Sequence, residues 1–238
     1  MRTLVVIPTY QEAANITALL AAIHTAAPDA DVLVVDDNSP DGTAALAESA
    51  AAESGSVKVL RRPGKAGLGS AYRHGFRVAL DEGYEAIVSM DADFSHDPAV
   101  IPQLVGALAG ADAAIGSRYV PGGGTPNWPL HRRLLSKWGN RYTCALLRLD
   151  VSDATSGFRA YRAAALAAIE PDTTQAEGYA FLTELVRRLT MQGMTLAEVP
   201  ITFVDRRYGV SKMSGRIIVE SMIRVTRWGV RDRFRRRR

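Results

Sequence analysis

The chain has 238 residues, of which 47% are hydrophobic and 23% are charged, and its net charge is +4. This length suits one large α/β domain or two small ones, and the apolar content predicts a substantial core. A single cysteine, Cys144, excludes an intrachain disulfide framework and a cysteine-rich zinc site. No segment has the form of a signal peptide or the roughly 18 uninterrupted apolar residues of a membrane span, so we expect a cytoplasmic location.

Short apolar runs alternate with helical patterns through the first half of the chain. Strands are predicted at residues 3–7, 32–35, 57–60, 86–90 and 112–115, and helices near 12–26, 42–53, 69–81 and 98–108. This alternation predicts an α/β fold with a mostly parallel central sheet and helices on both faces. Further along, we predict helices at Leu130–Leu147, 161–169 and 177–192, a strand at 196–204, and a final basic amphipathic helix.

Polar clusters follow three of these predicted strands, at residues 8–12, 36–43 and 91–93. Residues 38–43 have the composition of a turn and a helix N-terminus, but this does not explain an additional acid at the strand end. A carboxylate at that position can accept hydrogen bonds from a ribose or a base edge. Because the carboxyl ends of parallel strands share one edge of a sheet, the three clusters together predict one nucleotide site.

The third cluster is Asp91-Ala92-Asp93, directly after the apolar run 86–90. Oxygen-only ligands at a strand end suit a hard cation, Mg²⁺ or Mn²⁺, that bridges a diphosphate. The alternative is that these acids cap the helix predicted to start near Pro98. A second open choice concerns residues 67–69, whose two glycines either approach a phosphate or allow tight packing at a helix start.

Basic residues are concentrated at the C-terminal end. Residues 206–238 contain twelve Lys or Arg and two acids, a local charge of +10 that leaves the rest of the chain at −6. On a helix the charges form one stripe, and Ile218, Met222 and Val225 lie opposite it. This pattern predicts an interfacial helix on an anionic membrane surface, and the alternative is a helix packed on the domain with a solvated basic end. Nucleic acid is not an expected partner, because the body is acidic and carries no recognition motif.

Eight short motifs occur in a fixed order over nearly the whole chain. They lie at residues 6–12, 35–43, 65–72, 90–96, 116–119, 155–159, 178–184 and 205–213. With this ordered set, the chain resembles the inverting family 2 glycosyltransferases of GT-A fold and, among them, the polyprenol-phosphate (dolichol-phosphate) mannose synthases. The resemblance implies transfer of mannose from GDP-mannose to a polyprenyl phosphate, with inversion, by an enzyme peripheral on the inner face of the cell membrane.

The resemblance also implies roles for particular residues. Asp91, Asp93 and Arg118 would be catalytic, with the two acids binding Mg²⁺ or Mn²⁺. Contacts with the nucleotide sugar would come from Pro8, Tyr10, Glu12, Asp37, Asp91, Ala92, Asp93, Arg118, Arg206 and Lys212. The acceptor phosphate would be held by Arg132, Ser136, Ser156 and Arg159. Because a polyprenyl phosphate is already ionised near pH 7, it needs arginines to hold it and no general base.

We predict a GT-A catalytic domain over residues 1–212 and a membrane-facing extension over 213–238. Some family members are attached through a separate or fused integral membrane domain, so the resemblance implies an integral membrane partner protein as well. Two alternatives remain open from the sequence. One is the same chemistry with UDP-glucose as donor, and the other is a non-catalytic nucleotide-sugar-binding subunit of a membrane complex.

Overall fold

A computed structural model describes residues 1–205 and 215–235 of the protein. Within these ranges, strands of four to seven residues form a single sheet. The strands are β1 (Thr3–Thr9), β2 (Ala30–Asp36), β3 (Val57–Arg61), β4 (Ala86–Ser89), β5 (Ala113–Ser117), β6 (Arg159–Arg162) and β7 (Leu196–Pro200). Their order across the sheet is β3-β2-β1-β4-β6-β5-β7.

Strand β6 is the exception in an otherwise parallel sheet. It runs antiparallel to β4 and to β5, with Ser89 opposite Arg159, whereas the other neighbouring pairs are parallel. The predicted α/β class with a mostly parallel sheet is therefore confirmed. The predicted helix at 161–169 was wrong in its first residues, because Tyr161 and Arg162 complete this strand.

The helices agree closely with the predicted pattern. They are α1 (Ile16–Ala26), α2 (Thr43–Ser54), α3 (Leu68–Asp81), α4 (Ile101–Ala107), α5 (Leu130–Leu147), α6 (Ala163–Ala168), α7 (Tyr179–Met191) and α8 (Gly215–Arg235). Short 3-10 turns at Pro98–Val100 and Pro171–Thr173 precede α4 and α7. The bounds predicted for α5 are confirmed at both ends, and the late strand ends at Pro200 instead of 204.

Hydrophobic clusters lie on both faces of the sheet, because successive side chains of a strand point to opposite sides. In β1, Val5 and Ile7 face a cluster that includes α1 and α4, and Leu4 and Val6 face the cluster of α3, α6 and α7. These residues are at most 1% exposed. Both faces are therefore occupied by core packing, and the ends of the strands remain for a functional site.

A third cluster joins the C-terminal helix to the domain. Val225 of α8 is 3% exposed and packs with α5, α7 and β5. On the same side, Asp232 accepts a hydrogen bond from Arg187 Nε at 2.7 Å, and a side chain at Gly229 would begin 2.6 Å from Leu146 Cγ. Helix α8 is thus docked on the domain, as the alternative expectation had it.

The docking corrects the predicted apolar face of the final helix. Val225 was expected to face a membrane with Met222 and Ile218, but it lies inside, and Val219 and Ile223 are exposed instead. The predicted boundary between residues 212 and 213 falls outside the described residues, so the division into a catalytic domain and an extension stays a prediction. In the described ranges, no helix has the length and hydropathy needed to cross a membrane.

Candidate active site

The carboxyl ends of the six strands other than β6 lie along one edge of the sheet. Neighbouring strands β2, β1 and β4 run parallel, and β5 has the same direction because β6 reverses between β4 and β5. This edge therefore collects the residues that follow Asp36, Thr9, Ser89 and Ser117. The predicted convergence of strand-end clusters on one edge is confirmed.

The two acids after β2 have different surroundings. Asp36 is 1% exposed and accepts hydrogen bonds from Thr9 Oγ1 at 2.8 Å and from the Ser39 backbone at 2.8 Å, so it stabilises the turn. Asp37 instead forms an ion pair with Arg62, with Arg62 Nη1 donating to Oδ1 at 2.6 Å. Both side chains are 7% exposed. Burial raises the pKa of Asp37, and the charge of Arg62 opposes that rise.

Arg62 is a site residue that sequence reasoning missed. It follows β3 and also donates from Nη2 to Ser70 Oγ at 2.6 Å, so it connects the β2 edge to the start of α3. Asp37 additionally accepts from the backbone N–H of Ala66 at 3.3 Å. The carboxylate predicted to contact a ribose or base is thereby held in one position before any ligand binds.

Pro8, Tyr10 and Glu12 lie where β1 leaves the sheet, and all three are partly exposed. The Lys65 ammonium lies 4.2 Å from the centroid of the Tyr10 ring, a cation–π contact. Glu12 Oε2 accepts a hydrogen bond from Asn15 Nδ2 at 3.0 Å at the start of α1. The loop at Lys65 and Ala66 therefore contacts both Tyr10 and Asp37.

The paired acids after β4 are held by contacts on several sides. Asp91 is partly exposed, and its Oδ1 lies 3.5 Å from the Tyr72 hydroxyl. Asp93 is 8% exposed, and its Oδ1 accepts from the Ser95 backbone at 3.0 Å. Ala92, between them, is buried. The capping alternative was wrong, because the side chain that caps the following 3-10 turn is that of Asp97, which accepts from Ala99 N at 2.9 Å.

His96 contacts the backbone of the segment that carries Asp91 and Asp93. Its ring stacks on Phe158 with centroids 5.0 Å apart, and its Nδ1 accepts from the Asp91 backbone N–H at 3.4 Å. Burial lowers the pKa of His96 to about 4, so the ring is neutral at pH 7. It therefore acts on the backbone of the acidic pair.

The donor set at this edge fits a hard divalent cation. Among residues 1–205 and 215–235, no group of three or more His, Cys, Asp or Glu side chains could hold a metal ion by itself. Mg²⁺ is typically bound by one or two carboxylates together with substrate phosphates and water, not in an all-protein cage. Asp91 and Asp93 supply such a pair, and Asp91 is partly exposed.

Arg118 is engaged by an acid that sequence reasoning missed. Its Nε and Nη2 donate to the two carboxylate oxygens of Asp153, each at 2.7 Å, and Nη2 also donates to Thr155 Oγ1 at 2.6 Å. Complete burial of Asp153 favours a higher pKa, but Arg118 and the surrounding hydrogen bonds hold the pKa below its usual value. The paired N–H donors predicted to bind a phosphate thus hold residues 153–155 against the end of β5.

Arg132 and Ser136 lie on the first turns of α5, beside this pair. Arg132 Nη1 contacts Asp205 at 2.7 Å, its guanidinium lies 4.0 Å from the Trp128 ring centroid, and its side chain is 44% exposed. Ser136 Oγ is 2.7 Å from the Tyr119 hydroxyl. Ser136 is thus linked to Arg118 through Tyr119, and the role of Arg132 and Ser136 in holding an acceptor phosphate stays a prediction.

Two predicted phosphate contacts need correction. Arg159 is completely buried and donates from Nη1 to Leu182 O at 2.6 Å and from Nη2 to Ala154 O at 2.8 Å. Ser156 is 3% exposed, and its Oγ accepts from the Phe158 backbone at 3.4 Å. In this arrangement neither side chain reaches an acceptor phosphate, and both stabilise the segment before β6. Arg206 and Lys212 lie outside the described residues.

The glycines before α3 are explained by packing. A side chain at Gly69 would begin 2.8 Å from the backbone oxygen of Ala176 and 2.9 Å from the Glu177 carboxylate. Glu177 Oε2 also accepts from the Ser70 backbone at 3.2 Å. Residues 176–177 approach the start of α3 closely, so the glycines at residues 67–69 allow tight packing there, which was the second of the two alternatives.

Comparison with known proteins agrees with this arrangement. The family described as Glycosyl transferase family 2 matches residues 4–169. The chain is 48% identical over 234 residues to an undecaprenyl-phosphate mannosyltransferase of Micrococcus luteus, covering 98% of this chain and 96% of the relative. It is 49% identical over 239 residues to a polyprenol monophosphomannose synthase of Mycolicibacterium smegmatis, covering 100% of this chain and 90% of that one.

Solved structures of lower identity share the fold. Glucosyl-3-phosphoglycerate synthase from Mycobacterium tuberculosis, in complex with Mn²⁺, UDP and phosphoglyceric acid, aligns with a TM-score of 0.67 at 20% identity, over 94% of this chain and 78% of that one. Mannosyl-3-phosphoglycerate synthase from Rubrobacter xylanophilus aligns with a TM-score of 0.67 at 19% identity, over 95% and 73%. This chain belongs to Glycosyl transferase family 2, and it is a glycosyltransferase of GT-A fold.

Proposed function

We propose that this enzyme transfers mannose from GDP-mannose to a polyprenyl phosphate, with inversion, while peripherally bound at the cytoplasmic face of the cell membrane. The observation that carries the proposal is the near-full-length similarity, at 48% and 49% identity, to two proteins named for such mannosyl transfer. The sheet edge supports the same reaction, because Asp91 and Asp93 follow β4 there, Arg118 follows β5, and donor and acceptor both carry phosphate.

The donor diphosphate would be bound through Mg²⁺ or Mn²⁺ at Asp91 and Asp93, with phosphate oxygens and water completing the coordination. When bound, such an ion stabilises the charge that develops on the leaving nucleoside diphosphate. The chain's own contribution is to fix both carboxylates in advance. Tyr72 and the Ser95 backbone contact their side chains, and neutral His96 accepts a hydrogen bond from the Asp91 backbone.

The nucleoside would lie at the β1 and β2 ends. We assign guanine and ribose contacts to Pro8, Tyr10, Glu12 and Asp37, which lie at the neighbouring ends of β1 and β2. Asp37 has two carboxylate oxygens with about four lone-pair directions, so its pairing with Arg62 leaves capacity to accept from a hydroxyl or an N–H. Arg206 and Lys212 are assigned to donor phosphates from their motif alone.

The acceptor phosphate would bind between Arg132 and Ser136 on α5. The present partner of Arg132, Asp205, is 48% exposed, and exposed ion pairs of this kind contribute only about 0–1 kcal/mol. A phosphate with two negative charges can therefore replace Asp205 at little cost. Arg118 compensates the charge of buried Asp153, so no uncompensated acid opposes the attraction between Arg132 and the acceptor phosphate.

Direct attack explains the proposed inversion. The ionised phosphate oxygen of the acceptor attacks the anomeric carbon as the bond to the nucleoside diphosphate breaks on the opposite side. No proton has to be removed from the nucleophile, so the reaction requires no general base. The residues of the chain bind and orient the two substrates, which is the source of much of the rate enhancement in such transfers.

The test is a transfer assay with the purified full chain, a short-chain polyprenyl phosphate, and radiolabelled GDP-mannose or UDP-glucose, in the presence of Mg²⁺ or Mn²⁺. We expect lipid-extractable label from GDP-mannose. Label from UDP-glucose alone would replace the donor in the proposal. No label from either donor, together with measurable nucleotide-sugar binding, would identify a non-catalytic subunit instead.

A further inference from the structure

The first half of α5 carries an apolar stripe that the protein does not cover. Leu130, Leu134, Leu135 and Trp138 are 56–59% exposed, and their spacing places them on one side of the helix. The side of α5 that faces the domain carries Ser136 and Asn140 instead. Large apolar side chains in a contiguous exposed stripe are typical of an interaction surface and not of a solvated helix.

Helix α8 has three sides, and one of them is a second uncovered apolar stripe. Val225 and Gly229 lie on the docked side, and Arg224, Arg227 and Arg231 lie on a charged side. Between these two, a shallow apolar groove is lined by Val219, Met222, Ile223, Thr226, Arg227, Val230 and Arg231. Val219, Ile223 and Val230 are 46–57% exposed there.

The two stripes are connected by direct contacts. Trp138 of α5 stacks on Tyr142, with ring centroids 5.8 Å apart. The Tyr142 hydroxyl lies 2.8 Å from Thr226 Oγ1, and Thr226 belongs to the groove of α8. A chain of contacts therefore runs from the exposed stripe of α5 to that of α8, and we call the combination the two-helix surface.

The charge around this surface identifies its occupant. Helix α5 contains Arg132, Arg133, Lys137 and Arg141 but no Asp or Glu, and Arg227 and Arg231 border the groove on α8. A second copy of the chain would bring the same cations face to face, which costs energy. An anionic bilayer surface offers the complementary charge at headgroup level and apolar depth immediately below it, which suits aromatic and aliphatic side chains bordered by cations.

We propose that the two-helix surface is a membrane-binding site for anionic phospholipid, in which α5 inserts Leu134, Leu135 and Trp138 beside the groove of α8. This inference rests on the proposed function in one respect, that the acceptor is a membrane lipid. It assigns to α5 two roles on opposite sides, with Arg132 and Ser136 at the site and the apolar stripe in the bilayer. A lipid phosphate at headgroup level would then meet the site without leaving its membrane.

Vesicle binding of the full chain tests the proposal, with vesicles of phosphatidylglycerol and phosphatidylcholine in equal parts against phosphatidylcholine alone. We expect binding to the anionic vesicles, and a loss of about tenfold in partition coefficient, or 1.4 kcal/mol, for the double variant Leu134→Ser, Leu135→Ser. The pair Val219→Ser, Ile223→Ser should cause a similar loss. The matched control Leu46→Ser removes a 40% exposed leucine from distant α2 and should bind as the unmodified chain does.

Two further measurements guard against a folding artefact. Thermal unfolding should be unchanged in the α5 double variant, because both leucines are exposed. Brominated phospholipid should quench fluorescence of the unmodified chain, and Trp138→Phe should remove most of that quenching. Wild-type vesicle binding by the α5 double variant, or quenching that persists in Trp138→Phe, would overturn the proposal.

Analytical ultracentrifugation without lipid shows whether the two-helix surface binds a second copy of the chain instead. A stable dimer that the α5 double variant converts to monomers would make the two-helix surface a contact between copies, and would also overturn the proposal. Failure of the proposed function is separate from these outcomes, because it would appear as absent transfer to a short-chain acceptor while vesicle binding persisted.

Discussion

Replacing Arg118 by methionine should destabilise the protein by about 3–5 kcal/mol, the range for removing one partner of a buried ion pair. The change leaves the Asp153 carboxylate buried with its main counter-charge gone. Arg118→Lys should cost less, about 2 kcal/mol, because an ammonium keeps the charge but cannot reproduce the paired bonds to Asp153 and the bond to Thr155. The two side chains are 8% and 0% exposed, so solvent does little to screen either effect.

Urea unfolding of the unmodified chain, the two Arg118 variants and their counterparts in an Asp153→Asn background would measure these energies. The Asp153→Asn change removes the buried negative charge. Arg118→Met should therefore cost much less there, and the difference gives the coupling of the pair.

The same series has a defined pH dependence. In the unmodified chain, the pKa of Asp153 lies below its usual value. The ion pair therefore contributes its full stabilisation at pH values above the pKa that Asp153 has in the unfolded chain. This stabilisation is lost as pH falls through the pKa of Asp153 in the folded protein. In Arg118→Met, burial acts with much less opposition and raises the pKa of Asp153 above its unfolded value. The folded variant then takes up a proton as pH falls through that raised pKa, so its deficit in stability should narrow as pH falls.

A deficit that stays constant with pH would refute this reasoning, as would an equal cost of Arg118→Met in the Asp153→Asn background. The kinetic readout is separate from stability. If Arg118→Lys raises the KM for the acceptor beyond what its folded fraction explains, Arg118 also contacts the acceptor phosphate.

Asp91→Ala and Asp93→Ala should each lower transfer by about 1,000-fold, or roughly 4 kcal/mol, with nearly unchanged unfolding, because each removes one of the two proposed metal ligands. Asp29→Ala, an exposed acid at the opposite edge of the sheet, is the control, and near-normal turnover in either site variant would exclude the metal assignment. Asp37→Asn should raise the KM for the nucleotide sugar more than it lowers kcat, since a ribose or base contact binds substrate and transition state alike; unaltered donor affinity by calorimetry would remove Asp37 from the site. Gly229→Ala should lower the free energy of unfolding in urea by about 1–3 kcal/mol, because its Cβ would lie 2.6 Å from Leu146 Cγ. The control is Gly139→Ala on α5, whose Cβ would meet nothing within 4 Å and which should be neutral or stabilising. Equal stability of the two glycine variants would contradict the docking of α8.

The strands and helices of this fold could be predicted where the pattern is local. Strands such as β1 are short apolar runs, and α5 has a proline before it and a clear helical composition, so its bounds were predicted at both ends. Strand β6 was missed because it has four residues, two of them arginines, and contains no apolar run. Its position between β4 and β5 also departs from chain order, which no local pattern indicates.

The candidate site divides in the same way. Asp91, Asp93 and Asp37 could be located because each follows an apolar run, and strand direction then brings them to one edge. Arg62 and Asp153 could not, since their importance comes from partners 25 and 35 residues away.

The C-terminal helix shows a related limit. Its sequence offers two neighbouring apolar sides, one with Val225 and one with Val219 and Ile223. Only the tertiary packing decides which of them is docked on the domain.

The reversed direction of β6 has a consequence for how such a site can diversify. Strand β6 begins at the edge of the sheet where β4 and β5 end. The segment that leads into it, residues 152–158, therefore lies in the middle of the site. Neighbouring strands are about 4.8 Å apart, so β4 and β5 are separated by about 10 Å at this edge, with that segment between them. Most of these residues are buried and hold Arg118 or β7, but a Cβ at Gly157 would meet nothing closer than 3.5 Å. Substitution at Gly157 can therefore reshape the space beside Asp91 while the parallel strands on either side keep their register. Variation of sugar and acceptor among related enzymes is expected at such a position before it reaches the acids themselves.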